Sequence, residues 1–325
     1  MFFSLTALLL AAQDPLQTPI RTTVPLVLAP VSVTGRDAKP VAGLTSQDFE
    51  VLDGGKPRAH QLEVESQPVA VVVAIQTNSR AGPALAKIVK TGSMFLPLVA
   101  GEGGAVAVLS YSDHVRVHQD FTSKAEWLVS SFRSLRPEGE GARLLDAAGH
   151  GLEMLAGRNP IERRVLIMIG ESRDRSSESK LADVLAKAVA SNVTIYTVSF
   201  SVYLTSFTSR GSERFGETEK EKEKGTPVFQ AGGMSLLAAF DEIVRLGKAN
   251  AAEAMAQATG GVRLSFARLK GLEQVVARIS EDLHNQYLIS FSPAGAAEGF
   301  HSIRVVVKSR PDLLVRTRPG YSLSP

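Results

Sequence analysis

The stretch VAVVVAIQTNSRAG, residues 69–82, runs through seven apolar residues and then turns polar at Gln76. A strand with one wet face would alternate, so an unbroken run this short reads as a strand covered on both sides in a parallel sheet. Residues 105–109, 165–169 and 193–200 are likewise mostly continuous apolar runs. Amphipathic stripes lie between them. In the first, Leu85, Ile88, Val89, Phe95, Leu96 and Val99 share a helical face with Gly92, where close helix–sheet approach would want no side chain. Residues 177–191 and 269–283 carry the same period, the latter with Leu269, Leu272, Val276, Ile279 and Leu283 in register. Strands alternating with helices predict right-handed crossovers and a doubly wound, mostly parallel Rossmann-like α/β sheet.

Both ends read differently. Residues 22–65 hold short strand patterns, including Phe49-Glu50-Val51-Leu52 before the hairpin signal Asp53-Gly54. After residue 284, Tyr287, Ile289 and Phe291 alternate, as do Ile303, Val305 and Val307, and Leu314, Arg316 and Arg318. The predicted organisation is a signal peptide and short lead (1–19), an N-terminal β segment (20–67), an α/β domain (68–284) with a charged insertion (202–232), and a C-terminal β segment (285–325). The two β segments are expected to form one small β-sandwich around the inserted α/β domain.

Composition narrows the function. Among 325 residues, 44% are apolar and 21% charged, which describes an ordinary globular chain. The net charge of +3 and the scattered basic residues argue against nucleic acid as a partner. The absence of cysteine rules out disulfides, thiolate catalysis and thiolate zinc sites. The start, MFFSLTALLLAAQDP, is too short to span a bilayer but suits a signal-peptide core, with Ala12 before a small-residue cleavage site, and implies export to the periplasm or beyond. No later run reaches transmembrane length. Within the insertion, ETEKEKEK (Glu217 to Lys224) reads as a solvated loop, with a partner-docking arm as the alternative.

Several segments in order, VSVTGRDAKPVAGLTSQDFEVLDGGKP, VAVVVAI, GGAVAVLSYSDHVRVHQDFTS, GARLLDAAGHGL, RRVLIMIGESRD, HNQYLISFSP and RVVVKSRPDLLVRTRPGYSL, resemble the von Willebrand factor type A-related domain proteins common in acidobacteria. The resemblance implies a hard cation at the C-terminal edge of the sheet, held by D-x-S-x-S after the first strand, a Thr before the central helix and an Asp after the fourth strand. In this chain those positions are Gln76, Asn78 and Arg80, then Ala142, then Gly170 followed by Glu171. None keeps the expected oxygen ligand. An arginine about 4 Å from a divalent ion, at an effective dielectric of about 20, opposes binding by about 8 kcal/mol. The expectation is a degenerate metal site that binds no divalent ion.

Other constellations are weaker. Asp146 and His150 stand i, i+4 on a helix expected from about Ala142 and read as a surface pair. His114 and His118 lie an even distance apart in an extended segment, without an acidic cluster for zinc. Ser110, Ser112 and Asp113 beside His114 hint at a hydrolase, but no nucleophile elbow occurs. The glycine-rich stretches 101–104 and 137–141 lack a phosphate-loop lysine and read as turns.

The expected function is an exported, non-enzymatic binding module with a protein or surface-polymer partner, no cofactor and no bound cation. The alternative is a structural scaffold of a periplasmic or cell-surface assembly. Arg80 either substitutes for the lost cation or is salt-bridged to Glu171 on an inert rim.

Overall fold

The computed structural model describes residues 26–323, apart from 64–66, 160, 201–249, 267–268, 294, 296 and 309. The signal peptide expected at 1–19, the charged insertion at 202–232 and the helix expected near Leu236 therefore lie outside the described residues.

The centre is a mixed α/β layer built on β5 (Val69–Gln76), whose eight residues are all buried. It pairs in parallel with β6 (Ala105–Tyr111) on one side and β8 (Arg163–Gly170) on the other. Outward from β8 come β9 (Val193–Phe200) and β10 (Arg263–Phe266), both parallel. Beyond β6 lies β7 (Val115–Thr122), antiparallel to it, so the sheet reads β10-β9-β8-β5-β6-β7. The unbroken apolar run of β5 follows from its two covered faces. Val69, Val71, Val73 and Ile75 enter a cluster with α1 (Gly82–Thr91), α2 (Ala125–Ser134) and α6 (Leu269–His284). Ala70, Val72 and Ala74 face α3 (Leu144–Ala156), α4 (Leu181–Ala190) and α5 (Ala251–Thr259).

Three helical expectations need correction. The stripe from Leu85 to Val99 is not one α-helix: α1 stops at Thr91, and a 3₁₀ turn (Gly92–Met94) and a π turn (Phe95–Ala100) carry the chain on. Pro97, which has no N–H to donate, sits inside that π turn. Gly92 makes its close approach to α2 rather than to the sheet, since a Cβ there would stand 2.7 Å from the Phe132 Cβ. The helix expected over 177–191 begins only at Leu181. Ser177 is held in the preceding loop, where its hydroxyl donates to Asp174 Oδ1 at 2.6 Å and accepts from the Leu145 and Asp146 amides.

The chain ends form two four-stranded antiparallel sheets. The first has the order β13-β1-β11-β4 and contains β1 (Val27–Thr34), β4 (Gln61–Glu63), β11 (Tyr287–Phe291) and β13 (Leu314–Thr317). The second, β14-β12-β2-β3, contains β2 (Phe49–Asp53), β3 (Lys56–Arg58), β12 (Gly299–Val307) and β14 (Gly320–Leu323). Gly54 and Gly55, both at positive φ, make the tight turn between β2 and β3. The alternating residues of the two sheets share one buried cluster, with Val31, Phe49, Val51, Ile289, Phe291 and Val305 at its heart.

A polar seam joins the first of these sheets to the α/β layer. Asp282 of α6 accepts from Ser32 Oγ at 3.0 Å, Tyr196 Oη at 2.6 Å and Gln286 Nε2 at 3.2 Å, and it pairs with Arg316. Arg163 donates to the Leu283 carbonyl at 2.7 Å and to Gln286 Oε1. Strands from both chain ends and the central sheet thus meet on one carboxylate. Burial first, and the Asp282 charge second, push the Tyr196 phenol well above its ordinary value.

Candidate functional site

Strand order reverses at β5, because its two neighbours lead on in opposite directions. The crevice past the C-terminal ends of β5, β6 and β8 is where doubly wound sheets bind ligands. The six residues marked in the sequence all lie at this edge, but most are turned inward.

Gln76, fully buried at 0% exposure, spends both ends of its amide on Glu171. Its Oε1 accepts from the Glu171 N–H at 2.7 Å, and its Nε2 donates to Glu171 Oε2 at 3.1 Å. Gly170 is the only residue type that fits beside them. A Cβ there would lie 2.7 Å from Gln76 Oε1 and overlap the Tyr111 hydroxyl. Tyr111 is itself buried, its Oη reaching the Ile169 carbonyl at 3.4 Å, and burial followed by the Glu171 charge raises its pKa. The volume next to the strand end is filled by an amide and a phenol.

Asn78 is also consumed locally. Its Oδ1 caps the following turn by accepting from Ala81 N–H at 3.1 Å, and its Nδ2 donates to the Glu140 carbonyl at 3.4 Å. Ala142 is buried, precedes the start of α3 at Leu144 by two residues, and donates its N–H to Ser176 Oγ at 3.1 Å. The helix expected from about Ala142 therefore begins slightly later. Ala142 and Gly170 offer no side-chain oxygen, Arg80 brings a positive charge, and Gln76 and Asn78 are neutral and already bonded. These five positions do not fit a hard divalent ion. Among the described residues no three His, Asp or Glu side chains gather into a metal-holding cluster.

What remains at the surface is charged. Arg80 is exposed and makes no ion pair with any described residue. The alternative salt bridge from Arg80 to Glu171 does not form; Glu171 pairs instead with Arg175 at 3.0 Å. Beside Arg80 in the chain, the Ser79 hydroxyl donates to Glu140 Oε1 at 2.7 Å, while Glu138, in the loop that carries Glu140, pairs with Arg116 at 3.2 Å.

A residue weighed in the sequence only as part of a hydrolase cluster organises this edge. The Asp113 carboxylate accepts from the Gly141 N–H at 2.6 Å and the Glu140 N–H at 3.2 Å. A Cβ on Gly139 or Gly141 would collide with that carboxylate, and Gly139 adopts φ +72°. The glycine-rich loop is thus a cradle for an anion, and the anion is the protein's own side chain. The loop is further tied to β5 by Ser79 N–H donating to the Gly139 carbonyl at 2.9 Å and Glu138 N–H to the Thr77 carbonyl at 2.6 Å. Asp113 and Gly141 are 28 residues apart, and nothing in their spacing marks the pair.

The remaining candidates separate. His118, not His114, meets Ser110, with Nε2 and Oγ 2.8 Å apart, while Ser134 Oγ lies 3.4 Å from Nδ1. Burial chiefly, and then Arg116, lower the His118 pKa, while Glu138 opposes them. Among the described residues the second ring nitrogen meets only the Ser134 hydroxyl and no carboxylate, and Ser110 is buried, unlike the open nucleophile of a hydrolytic triad. Asp146 does not engage His150: it binds Arg143 at 3.2 Å and accepts from the Glu178 and Ser179 amides. No helix among the described residues is long and apolar enough to cross a membrane.

No protein-family model matches the sequence, and no curated protein matches it. Solved structures similar to this chain include the vWF domain of the type V pili tip protein Mfa5 from Porphyromonas gingivalis, 22% identical with a TM-score of 0.31. That match covers 34% of this chain and 40% of the Mfa5 domain, so the chain spans well under half of that domain's length. An aerotolerance-related membrane protein from Bacteroides fragilis is 11% identical over 65% of this chain and 98% of its own, with a TM-score of 0.43. The PilB minor pilin of Streptococcus sanguinis is 9% identical over 69% of this chain and 63% of its own, also at 0.43.

Proposed function

We propose that this chain is an exported, non-enzymatic binding module of the von Willebrand factor type A kind, whose C-terminal sheet edge contacts a protein or surface-polymer partner without a bound divalent ion. One observation carries the reading. The space beside the end of β5 is taken by the Gln76 amide and the Tyr111 phenol, with Gly170 as the only residue that admits both. An ion-dependent edge needs an incomplete shell of anionic oxygens that a partner completes. Here the corresponding element is Arg80, exposed and without an ion pair among the described residues, which presents a fixed cation to a carboxylate or sulfate on the partner. The first end sheet, tied to the α/β layer through Asp282, and the second, which shares its core, hold that edge in a set orientation as one β-sandwich.

The experiment is crosslinking in the native cell envelope, with the captured partner then titrated against wild type and Arg80→Ala in EDTA and in millimolar Mg²⁺. Affinity that is unchanged by EDTA and falls about fivefold to thirtyfold in Arg80→Ala, the range for a lost charge-assisted contact worth about 1–2 kcal/mol, supports the reading. Stoichiometric Mg²⁺ or Mn²⁺ at micromolar affinity in equilibrium dialysis, or binding abolished by EDTA, overturns it.

A further inference from the structure

At the opposite end of the sheet the seam holds a buried cation with no anion beside it. Arg318, just past β13, is 6% exposed. Its Nη2 donates to the Leu28 carbonyl and to Asn192 Oδ1, both neutral acceptors, and its Nε has no hydrogen-bond partner. Arg316, two residues earlier, pairs with Asp282, whereas Arg318 has no ion pair with a described residue. Burial alone pushes its guanidinium down to about 10, with no carboxylate acting to restore it.

A small cavity opens at this side chain. Arg318, Asn192, Thr194 and Thr259 line it together with apolar residues of α4 and α5, and no acidic residue does. It leaves ≈ 10 Å³ for the centre of a water-sized sphere, room for one small species. A neighbouring cavity shares Asn192 and Thr194 and reaches Arg164, whose Nε is likewise buried without a partner. Glu162, on the wall of that second cavity, is engaged by Arg158 at 2.6 and 2.9 Å. Asn192 stands at the surface in the left-handed region, φ +55°, a conformation that costs any residue but glycine. The strain is matched by the contact its side chain makes with Arg318.

We propose that the cavity at Arg318 binds a small monovalent inorganic anion of the size of chloride. The chemistry selects the class. The wall carries one buried positive charge with no acidic residue among the described lining, a charge that an anion neutralises and a water does not. The ion sits where the C-terminal strands touch the turn between α4 and β9, so its occupancy stabilises the joint between them.

The test is thermal unfolding of the full chain at constant ionic strength, exchanging gluconate, which is too large for the cavity, for chloride or bromide. The expected result is a rise in Tm of about 2–4 °C by 0.3 M chloride, the shift that about 1 kcal/mol of linked binding produces in a chain of this size. Arg318→Gln should abolish the response. Should that variant not fold, Asn192→Gly, which suits the positive φ, should lose at least half of it. Bromide-soaked crystals should show an anomalous peak within about 3.5 Å of the Arg318 Nε, an ordinary donor–halide distance. Equal Tm in chloride and gluconate, or a response that survives both substitutions, overturns the proposal and leaves water in the cavity or an adventitious ion only.

Discussion

Replacing Asp282 by Ala removes one carboxylate on which four groups converge. Tyr196 Oη, Ser32 Oγ and Gln286 Nε2 lose an acceptor, and Arg316 loses its counter-ion. Tyr196 is fully buried, so its hydroxyl cannot turn to bulk water, and the Arg316 and Asp282 side chains are only 23% and 16% exposed. Breaking a buried pair by removing one partner costs about 3–5 kcal/mol, and the residual exposure here argues for the lower end, about 3 kcal/mol. In urea, with a slope of about 3 kcal/mol per molar for a chain of this size, the midpoint should fall by about 1 M. The assay is equilibrium unfolding followed in parallel by far-UV circular dichroism and tyrosine fluorescence. Asp282→Asn, which keeps an acceptor for Tyr196 but strands Arg316, should fall between wild type and Ala. In a double-mutant cycle with Arg316→Met the losses should be less than additive, by about 1–3 kcal/mol. A loss below 1 kcal/mol for Asp282→Ala at unchanged slope would show that the seam is not built on this carboxylate.

Three further outcomes are expected. Gly170→Ala overpacks the strand end against Tyr111 and Gln76 and should destabilise by about 1–3 kcal/mol in urea unfolding; a neutral substitution would mean the space is open. Asp113→Ala strips the acceptor from the Glu140 and Gly141 amides and should raise amide exchange in the 138–142 loop at least tenfold, the factor equivalent to about 1.4 kcal/mol, while exchange in β9 stays unchanged. His118 is held neutral by burial, so its folded pKa lies below the unfolded value, and the unfolded chain binds more protons between the two. Its contribution is intact above the unfolded pKa of about 6.5 and is lost as pH falls through the lower folded value. His118→Gln should flatten that limb of the stability profile measured between pH 7.5 and 5.

The four inner strands of the α/β layer were legible in the sequence because each is covered on two faces and leaves a mostly apolar run, whereas the partly exposed edge strands β7 and β10 leave none. The run at 193–200 coincides with β9, and the others fall inside β5, β6 and β8. The alternating patterns after residue 284 likewise mark β11, β12 and β13. The break after Thr91 was less visible, because the apolar stripe continues unchanged through the 3₁₀ and π turns while the hydrogen bonding shifts. At the candidate site the six positions read from the sequence lie together at the C-terminal sheet edge, but most of their side chains are turned inward. Gln76 and Asn78 look like surface ligands in sequence, yet their partners are Glu171, 95 residues away, and the Glu140 carbonyl, 62 residues away. The same holds for Asp113 on Gly141. Side-chain direction at a strand end depends on which loop closes over it, and periodicity carries no information about that.

Pairing across the end sheets also sets a clock on folding. The Tyr287 hydroxyl donates to the Val41 carbonyl 246 residues earlier, and β1 finds its partners only in β11 and β13. At a synthesis rate of about 5–20 residues per second, roughly 10–50 s pass between the appearance of β1 and that of its first partner strand. Throughout that interval Val27, Ala29, Val31 and Val33, a short apolar alternation destined for the core, stay without their sheet. The segment most in need of a holding factor during biogenesis is therefore β1, whose partner strands lie at the far end of the sequence.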